Sequence, residues 1–565
     1  MRDFKDQTGE ARRRARPSAF GELPVLLILL AVVSVTILGL ATVSIAAAEP
    51  IVPMILPSDA TSSASGSTLG SSASGWIVGG VPGARTKAIA RRAGATPIAE
   101  RLGSYSVSRS KARTLARKLS RAGRLVYAEP DVGIQRSGYP LDLLSDQQWW
   151  LNRIVSPTDV TPPTVTDSSP LIALIEESLD ARHPDLVGAN LTGAKSKDPA
   201  ADTHGTSIAG IIGSPGEMSG IRGVWPGARM RLFPSGLTCS TASKAVAKAA
   251  TKGAAVINMS YTFPSDVCFT HFMATQYAVR KGAIPVAAAG NSGDSGNGAM
   301  RPASDPHVLS VGAVDDKSVI ASFSTRNSAV DLVAPGQGVL APVVKLGASG
   351  SPDYSWEEVK GTSFSAPMVA AAAAWVKQAR PQLGNLQVQR LLTDSATDLG
   401  DPGRDPSYGA GMLSIEGSLA GPTPPSDPYE PNDDIPWIDG SYLKTKAPFL
   451  WKVGKGPRRM IKATLSKDKD PADVYKVSVP GRRRIAVNVA QLEGDVVLAA
   501  LKPKAKTIVN PGKKLIVRSN RPYPKTEGIV VRNLKKKPQT IWIAITPSAT
   551  QTGEYSRYKL TVARR

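Results

Sequence analysis

Residues 361–375 read GTSFSAPMVAAAAAW, in which a hydroxyl-rich turn runs directly into an alanine-rich segment. The segment predicts a helix over about 363–378, with Ser363 at its N-terminus. Backbone N–H groups and the helix dipole at that end favour negative charge, although a serine there is often only an N-cap. What Ser363 does therefore depends on the elements around it.

The surrounding chain, residues 145–420, alternates apolar strands with helical segments. The predicted strands cover 171–175, 256–259, 284–289, 308–314 and 330–333, and the other predicted helices cover about 241–252, 270–281 and 386–394. This alternation implies right-handed crossovers and a parallel sheet with helices on both faces, which is an α/β fold. In such sheets, functional sites form at the carboxyl ends of the strands.

Two further segments carry reactive groups at such positions. THGTSIAGIIG, residues 203–213, places His204 at the start of a helical pattern, and VAAAGNSG, residues 286–293, ends a buried strand at Asn291. Acyl transfer requires a hydroxyl nucleophile, an imidazole that takes its proton, and a donor aimed at the developing oxyanion. Ser363, His204 and Asn291 supply these groups in a chain with only 4 histidines.

Over about residues 145–420 the chain resembles the subtilisin-like serine proteases. The resemblance rests on HGTSIAG, VINMS, AAAGNSG, VGAVD, ASFS, VAPG and GTSFSAP, of which the last is highly specific. It implies Ser363 as nucleophile, His204 as general base and then acid, and Asn291 as oxyanion donor. Polypeptides would be the substrates, and no cofactor is required. Family members often bind structural calcium, but no dense carboxylate loop stands out in the sequence, so no metal site is predicted.

The resemblance also implies the walls of a substrate cleft, against which an extended peptide would pair as an added strand. The predicted substrate-binding residues are Ser260, Tyr261, Thr262, Ala288, Ala289 and Gly290. Two departures from the family touch this cleft, because Thr262-Phe263 stands where small glycines are usual and Ser207 replaces a common second histidine. Both are expected to alter the shape of the subsites.

The carboxylate that should orient the imidazole is the main departure from the family. Residues 171–186 read LIALIEESLDARHPDL, and the family register places Glu176 where an aspartate is usual. Glutamate is one methylene longer, so it must fold back, or the backbone must retreat by roughly 1 Å, to reach His204. Because other serine hydrolases use glutamate here, we predict Glu176 as the third catalytic residue. The alternative is a degenerate site with merely structural carboxylates.

Two rival carboxylates follow in the same stretch. Glu177 should point to the opposite face if the strand continues, and Asp180 lies past the strand end. Ser178 replaces the usual glycine of this turn, and His183 is interpreted as part of a structural turn rather than as a ligand.

The N-terminal region predicts a location outside the cytosol. A basic cytosolic segment, 1–22, precedes an apolar run, 23–48, which orients the chain with its N-terminus inside and the rest outside. The run is long enough for a single-pass membrane anchor, although AAAEP at 46–50 resembles a signal cleavage site. A retained anchor and secretion after cleavage both stay open. Residues 49–75 are rich in Ser and Gly and predict a flexible linker.

A small basic α/β unit is predicted over residues 76–136. Residues 76–135 hold 12 Lys and Arg against 3 Asp and Glu, and the ending VYAEPDVGIQ resembles the subtilase propeptide, a folding aid and intramolecular inhibitor. Complementary charge would steer it onto the slightly acidic catalytic region. The alternative is that its basic helix is merely a solvated face.

Beyond a Pro/Asp-rich linker at 421–436, short alternating strands predict an all-β sandwich over 437–565. Through DPYEPNDD and KDPADVYKVSV the region loosely resembles the pre-peptidase C-terminal domain. It carries 29 Lys and Arg against 8 Asp and Glu, and runs such as 482–484 and 535–537 suit anionic polymers of the cell envelope. A merely soluble basic surface is the alternative. Nucleic acid is not expected, because no aromatic residues interleave the basic runs.

The two cysteines, Cys239 and Cys268, can form one disulfide in an oxidising compartment, and two buried free thiols are the alternative. Taken together, the sequence predicts an extracytoplasmic subtilisin-like serine endopeptidase that is made as a precursor. The second hypothesis is a catalytically impaired pseudoprotease that binds anionic envelope polymers.

Overall fold

The computed structural model describes residues 75–100, 103–131, 144–156, 160–193, 203–216, 220–236, 238–265, 267–347, 350–442, 446–452, 454–551 and 555–565. The predicted segments 1–22 and 23–48, and nearly all of 49–75, lie outside these residues. Within the part of the chain that is described, no helix is both long and apolar enough to cross a bilayer. The chain divides into two compact units, Met1–Arg136 and Ser137–Arg565.

The first unit is a four-stranded antiparallel sheet with two helices. Its elements are β1 (Gly75–Gly80), α1 (Ala84–Arg92), β2 (Thr96–Ala99), β3 (Ser104–Ser108), α2 (Arg109–Arg121) and β4 (Leu125–Asp131), and the strand order is β2-β3-β1-β4. Ala112, Leu115 and Leu119 recur at helical spacing and are buried in the core of this unit. The basic residues of α2 therefore lie on the opposite, exposed face.

The second unit begins with a seven-stranded parallel sheet in the order β13-β12-β10-β8-β5-β7-β6. Its strands are β5 (Ile172–Leu174), β6 (Leu191–Thr192), β7 (Met230–Leu232), β8 (Val256–Met259), β10 (Ile284–Ala288), β12 (Leu309–Val314) and β13 (Leu332–Pro335). Short strands β9 (Phe263–Pro264) and β11 (Met300–Arg301) pair with each other, as do β14 (Gln337–Leu346) and β15 (Pro352–Lys360). The helices are α3 (Trp149–Ile154), α4 (Thr203–Gly213), α5 (Cys239–Thr251), α6 (Phe269–Arg280), α7 (Thr362–Ala379), α8 (Asn385–Asp394), α9 (Ile415–Ala420) and α10 (Ile435–Asp439).

Apolar residues cover both faces of this sheet. In β5, Ile172 and Leu174 pack into the cluster that holds α4, α7 and α8, whereas Ala173 and Ile175 pack into the cluster that holds α5 and α6. Because side chains alternate along a strand, one buried apolar run serves two helical layers. The predicted fold class, a subtilisin-like parallel sheet with helices on both faces, is confirmed.

The C-terminal region consists of two four-stranded antiparallel sheets packed face to face. Their orders are β16-β23-β18-β21 and β17-β22-β19-β20. The strands are β16 (Arg458–Ser466), β17 (Asp473–Val479), β18 (Arg484–Glu493), β19 (Val496–Leu501), β20 (Leu515–Ser519), β21 (Glu527–Arg532), β22 (Gln539–Pro547) and β23 (Tyr555–Arg564). One apolar cluster fills the space between them, as the alternating pattern predicts.

The sandwich and the linker before it pack against helix α6, which flanks the parallel sheet. The Phe272 and Trp437 rings meet edge to face with centroids 5.5 Å apart. Arg280 Nη2 donates to the carbonyl oxygens of Pro431 and Trp437, at 2.6 and 3.0 Å. The linker between the two domains is therefore held on the surface of α6.

A disulfide joins Cys239 and Cys268, whose Cα atoms lie 5.6 Å apart. Cys239 is the first residue of α5 and Cys268 immediately precedes α6. The bridge therefore ties the N-termini of two neighbouring helices on one face of the sheet.

Candidate active site

Five predicted site residues gather at the carboxyl edge of the parallel sheet. Glu176 follows β5, Ser260 follows β8 and Asn291 follows β10, and these three strands are neighbours in the sheet. His204 is the second residue of α4, and Ser363 is the second residue of α7. Since parallel strands end at one edge, the sheet brings these groups from distant parts of the sequence together.

Glu176 reaches the imidazole. Its Oε2 lies 2.8 Å from His204 Nδ1, and its side chain is 4% exposed, whereas that of His204 is 42% exposed. Gly205 allows the turn after β5 to approach α4, because a Cβ there would lie 2.0 Å from the Ser178 carbonyl oxygen. The extra methylene of glutamate is therefore compatible with the contact that an orienting carboxylate must make.

The two rival carboxylates do not make this contact. Glu177 is exposed to solvent. Asp180 is buried and accepts from Arg182 Nε and Nη2 at 2.8 and 2.7 Å, and from the Tyr354 hydroxyl at 3.1 Å. The Asp180 carboxylate therefore stabilises the turn after β5 through these hydrogen bonds. His183 is buried in the same turn, where its Nδ1 accepts the Asp185 backbone N–H at 3.1 Å.

Glu176 also changes the acid–base behaviour of His204. Burial acts to lower the pKa of His204, but the hydrogen bond and the negative charge of Glu176 outweigh it and raise the pKa above the usual 6.5. A carboxylate at Nδ1 accepts a hydrogen bond from the N–H group there, so the neutral ring keeps its proton on Nδ1 and presents Nε2 as an acceptor. This is the tautomer that can take a proton from a hydroxyl.

Ser363 lies in the first turn of α7, where its hydroxyl donates to the Ser260 carbonyl oxygen at 3.1 Å. The Ser260 hydroxyl donates back to the Ser363 carbonyl oxygen at 2.8 Å. Among the described residues no hydrogen bond joins Ser363 to His204, although the next residue, Phe364, packs its ring 5.6 Å from the His204 ring. Catalytic hydrogen bonds are often loose without substrate, so rotation about the Ser363 Cα–Cβ bond would have to complete the pair.

Asn291 is oriented by the residue next to the serine. Its Oδ1 accepts from the Thr362 backbone N–H at 3.0 Å and from the Thr362 hydroxyl at 2.9 Å. The amide nitrogen Nδ2 is thereby left as a donor beside Gly361, whose φ of 144° favours glycine. The side-chain donor and the N-terminus of α7 together form a surface that can stabilise an oxyanion.

The predicted cleft walls flank this site, and the structure adds a residue that the sequence did not indicate. A Cβ on Gly290 would lie 3.3 Å from Met300 Cγ and 3.7 Å from Thr262 Cγ2. Met300 reaches this position because β11 pairs with β9 directly after the wall at 260–262. Such a cross-strand pairing has no local signal in the sequence.

One expected cleft residue lies elsewhere. Ser207 is fully buried in α4, where its hydroxyl bonds to the carbonyl oxygens of Pro342 and Thr203 at 2.6 and 2.9 Å. The expectation that Ser207 alters a subsite is therefore wrong, because its hydroxyl fastens α4 to β14 instead.

A second group of reactive side chains lies between the parallel sheet and the sandwich. The sequence did not predict this group. Ligand atoms of His307, Glu430, Asp433 and Asp470 lie within 4.8 Å of one another, as do those of Asp427, Glu430 and Asp473. The carboxylates come from two segments about 40 residues apart, so neither segment alone contains a dense carboxylate loop. Only the fold reveals the cluster.

Comparison with known proteins identifies the family of the region that contains this site. Residues 167–411 match the model of the subtilase family. Subtilisin DY of Bacillus licheniformis is 34% identical over 255 residues, which cover 43% of this chain and 89% of the relative. Subtilisin Savinase of Lederbergia lenta is 32% identical over 276 residues, covering 47% and 97%. A solved psychrophilic subtilisin-like protease from Pseudoalteromonas sp. AS-11 has 19% identity and a TM-score of 0.38, covering 44% of this chain and 92% of that one.

Proposed function

This chain belongs to the subtilase family, and from that premise we propose that it is an extracytoplasmic serine endopeptidase that uses glutamate in place of the usual aspartate. The observation that carries the proposal is the 2.8 Å contact between Glu176 Oε2 and His204 Nδ1, beside a serine at a helix N-terminus. A degenerate site would have no reason to retain a buried carboxylate aimed at the imidazole.

The proposed mechanism assigns one role to each group. His204 Nε2 takes the proton of the Ser363 hydroxyl as the serine oxygen bonds to the scissile carbonyl carbon. Glu176 stays ionised, accepts a hydrogen bond from the Nδ1–H group and stabilises the imidazolium that forms. The Asn291 amide and backbone N–H groups of α7 donate to the oxyanion. His204 then gives its proton to the leaving amine, and water hydrolyses the acyl-enzyme through the same base.

The space beside Gly290 suggests the substrate class. A scissile carbonyl between Ser363 and Asn291 would direct the preceding side chain toward Gly290, where Met300 and Thr262 narrow the space. We propose that small residues such as Gly, Ala and Ser precede the cleaved bond.

The Met300→Ala variant tests this preference. It should raise kcat/KM for Phe relative to Ala at that substrate position by about tenfold or more, because one removed methylene group already changes discrimination by about 10-fold. The control is Met460→Ala, since Met460 is exposed on the sandwich. An unchanged Phe/Ala ratio in Met300→Ala would contradict the proposed substrate class.

The remaining domains fit a secreted or membrane-anchored precursor. We propose that residues 23–48 direct the chain across the membrane and that residues 76–136 act as an inhibitory propeptide. The Cys239–Cys268 disulfide supports an oxidising location. Accumulation of the chain with its catalytic domain in the cytosol would contradict this part of the proposal.

One observation favours a second function, the binding of anionic envelope polymers, with or without catalysis. The Arg482 backbone N–H donates to the Lys535 carbonyl oxygen at 2.9 Å, and the Asn533 N–H donates to the Arg483 carbonyl oxygen at 2.9 Å. The basic runs 482–484 and 535–537 are therefore adjacent at one end of the sandwich. Adjacent cationic side chains suit a polyanion.

The decisive experiment uses a serine-reactive fluorophosphonate probe on wild type, Ser363→Ala and Glu176→Gln. We expect labelling of the wild type, no labelling of Ser363→Ala, and much slower labelling of Glu176→Gln. Glu177→Gln is the matched control, because it removes an exposed carboxylate one residue away. Equal background labelling in all four proteins would leave only the polymer-binding function.

A further inference from the structure

The boundary between the catalytic domain and the sandwich contains a cluster of largely buried carboxylate side chains. We call the five carboxylates of this group the interdomain acid cluster: Asp427, Glu430, Asp433, Asp470 and Asp473. Three come from the linker after α9, and two come from the loop that leads into β17. His307 of the catalytic domain, just before β12, faces them.

The spacing of these groups suits a shared cation. Glu430 belongs to both subgroups, in each of which the possible ligand atoms lie within 4.8 Å of one another. Two oxygens that bind the same calcium ion at about 2.4 Å cannot be more than about 4.8 Å apart. The observed separations therefore fall within the range that one ion can bridge.

Several oxygens of the cluster are buried without a hydrogen-bond donor. Among the described residues, Glu430 Oε1, Asp433 Oδ1, Asp470 Oδ1 and Asp473 Oδ1 have no partner. The Glu430 side chain is only 3% exposed, and Asp473 is fully buried. Buried carboxylate oxygens are normally paired, since leaving them unpaired is costly. Four such oxygens in one place indicate a ligand.

The protein's own cations do not neutralise the cluster. His307 Nε2 lies 3.2 Å from Asp433 Oδ2 and 3.3 Å from Glu430 Oε2. Lys469 is near in sequence, but its ammonium binds the carbonyl oxygen of Val308 at 2.9 Å and lies 3.2 Å from Asp331 Oδ2. Arg280 interacts with the charge of Glu430, but its Nη2 donates to the carbonyl oxygens of Pro431 and Trp437. Among the described residues, the two cations His307 and Arg280 do not balance five carboxylates.

Three neutral groups also donate hydrogen bonds to the cluster. The Tyr475 and Tyr558 hydroxyls donate to Asp427 and Asp473, at 2.8 and 2.5 Å. The Asn432 backbone N–H donates to Glu430 Oε2 at 2.9 Å. These bonds fix the orientation of the carboxylates and leave an excess of negative charge.

We propose that the interdomain acid cluster binds calcium and that the ion fastens the sandwich to the catalytic domain. Calcium prefers six to eight oxygen ligands and tolerates irregular geometry, which matches a set of carboxylates from two segments. Magnesium requires a near-ideal octahedron and keeps its waters, so it should bind more weakly. Charge neutralisation would strengthen the contacts on either side, including the His307 N–H bond to the Lys469 carbonyl oxygen at 3.0 Å.

The proposal is tested on the full-length protein in a Ser363→Ala background, which prevents self-cleavage. After removal of metals with EDTA, titration with calcium should show at least one bound ion per chain and raise Tm by several degrees. Magnesium at the same concentration should raise it less. No calcium binding by this protein would overturn the proposal.

Two variants locate the site. Asp473→Asn should weaken calcium binding at least tenfold and remove the rise in Tm, whereas Asp468→Asn, an exposed carboxylate of the same loop, should behave as the parent. In EDTA the Asp473→Asn protein should be no less stable than the parent, because it loses repulsion along with the site. Undiminished binding in Asp473→Asn would overturn the assignment.

Hydrogen exchange tests the fastening role independently, even if the variant fails to fold. Calcium should slow exchange in peptides covering residues 303–309, where the His307 N–H bonds across to the sandwich. Calcium binding that leaves this segment unprotected would refute the link between the domains. Stabilisation by acid alone, without any effect of calcium, would mean that shared protons rather than an ion relieve the repulsion, and would also refute the proposal.

Discussion

His204 and His307 both contact carboxylates, yet they differ in exposure and in the number of carboxylates they face. His204 faces one carboxylate, Glu176, and its side chain is 42% exposed. His307 is 4% exposed and lies within 3.3 Å of both Glu430 and Asp433. Burial acts to lower both pKa values, but the two carboxylates raise that of His307 to about 10, whereas that of His204 is raised to a smaller extent.

The difference shows what makes a histidine useful as a base. An imidazole with a pKa of about 10 stays protonated at neutral pH and acts as a fixed cation. An imidazole with one carboxylate and a partly exposed ring can instead pass its proton to and from a neighbouring group. The number of carboxylates and the exposure of the ring, rather than the mere presence of a His–carboxylate pair, therefore separate the proton shuttle from the structural charge.

The largest predicted effect comes from disrupting the contact between Glu176 and His204. Glu176→Gln should lower kcat by on the order of 10⁴, because a neutral amide neither stabilises the imidazolium nor enforces the required tautomer. Steady-state hydrolysis of a peptide substrate checks this, with Glu177→Gln expected within about twofold of the wild type. A Glu176→Gln enzyme with nearly normal kcat would mean that another group orients His204.

The second prediction concerns the contacts of His307 with Glu430 and Asp433. His307→Gln should lower the free energy of unfolding by about 3 kcal/mol, because it leaves buried carboxylates without their only imidazolium. Guanidinium denaturation in EDTA at neutral pH measures the loss. The folded fraction should still react with the fluorophosphonate probe at the wild-type rate, since His307 does not belong to the catalytic site. If His307→Gln were as stable as the wild type, or if its folded fraction no longer reacted with the probe, a purely structural role for His307 would be contradicted.

The third prediction concerns the length of the orienting side chain. Glu176→Asp restores the residue that is usual in the family, but here it should lower kcat by about 10²-fold. The backbone positions the present carboxylate 2.8 Å from the imidazole, so removing one methylene withdraws it by about 1 Å. The same assay as for Glu176→Gln applies. Activity at or above the wild-type level would show that the turn after β5 readjusts freely.

The sequence allowed the parallel sheet and the placement of the site to be predicted because both depend on local patterns. Buried apolar runs ended at Glu176, Ser260 and Asn291, and a parallel sheet must gather such ends at one edge. The pairing of Glu176 with His204 was predicted from the family register, but the sequence left a degenerate site open, because the contact depends on a path of the turn after β5 that differs by about 1 Å.

Two features were beyond prediction because they depend on contacts between distant segments. Met300 reaches Gly290 only through the pairing of β9 with β11. The interdomain acid cluster needs the linker, the loop before β17 and His307 to meet across a domain boundary. No spacing within one segment signals such a meeting. Ser207 shows the reverse error, since a family-variable position suggested a subsite but the side chain is buried.

The smallest predicted effect concerns the pH dependence of kcat/KM, which should respond to charges near His204 and not to His307. Because the base form of His204 must be neutral, kcat/KM should fall as pH drops through its pKa, with a midpoint above 6.5 since that pKa is raised. The charge of Glu177 adds the last and smallest of the raising effects on His204, so Glu177→Gln should move the midpoint to lower pH. Salt should shrink this shift, because Glu177 is exposed and its field is screened over about 10 Å at 0.1 M. His307→Gln should leave the pH midpoint of kcat/KM unchanged. A shifted midpoint in His307→Gln, or a midpoint shift in Glu177→Gln that does not depend on salt, would contradict this account. Either result would mean that charges act on His204 by a route other than a field through solvent.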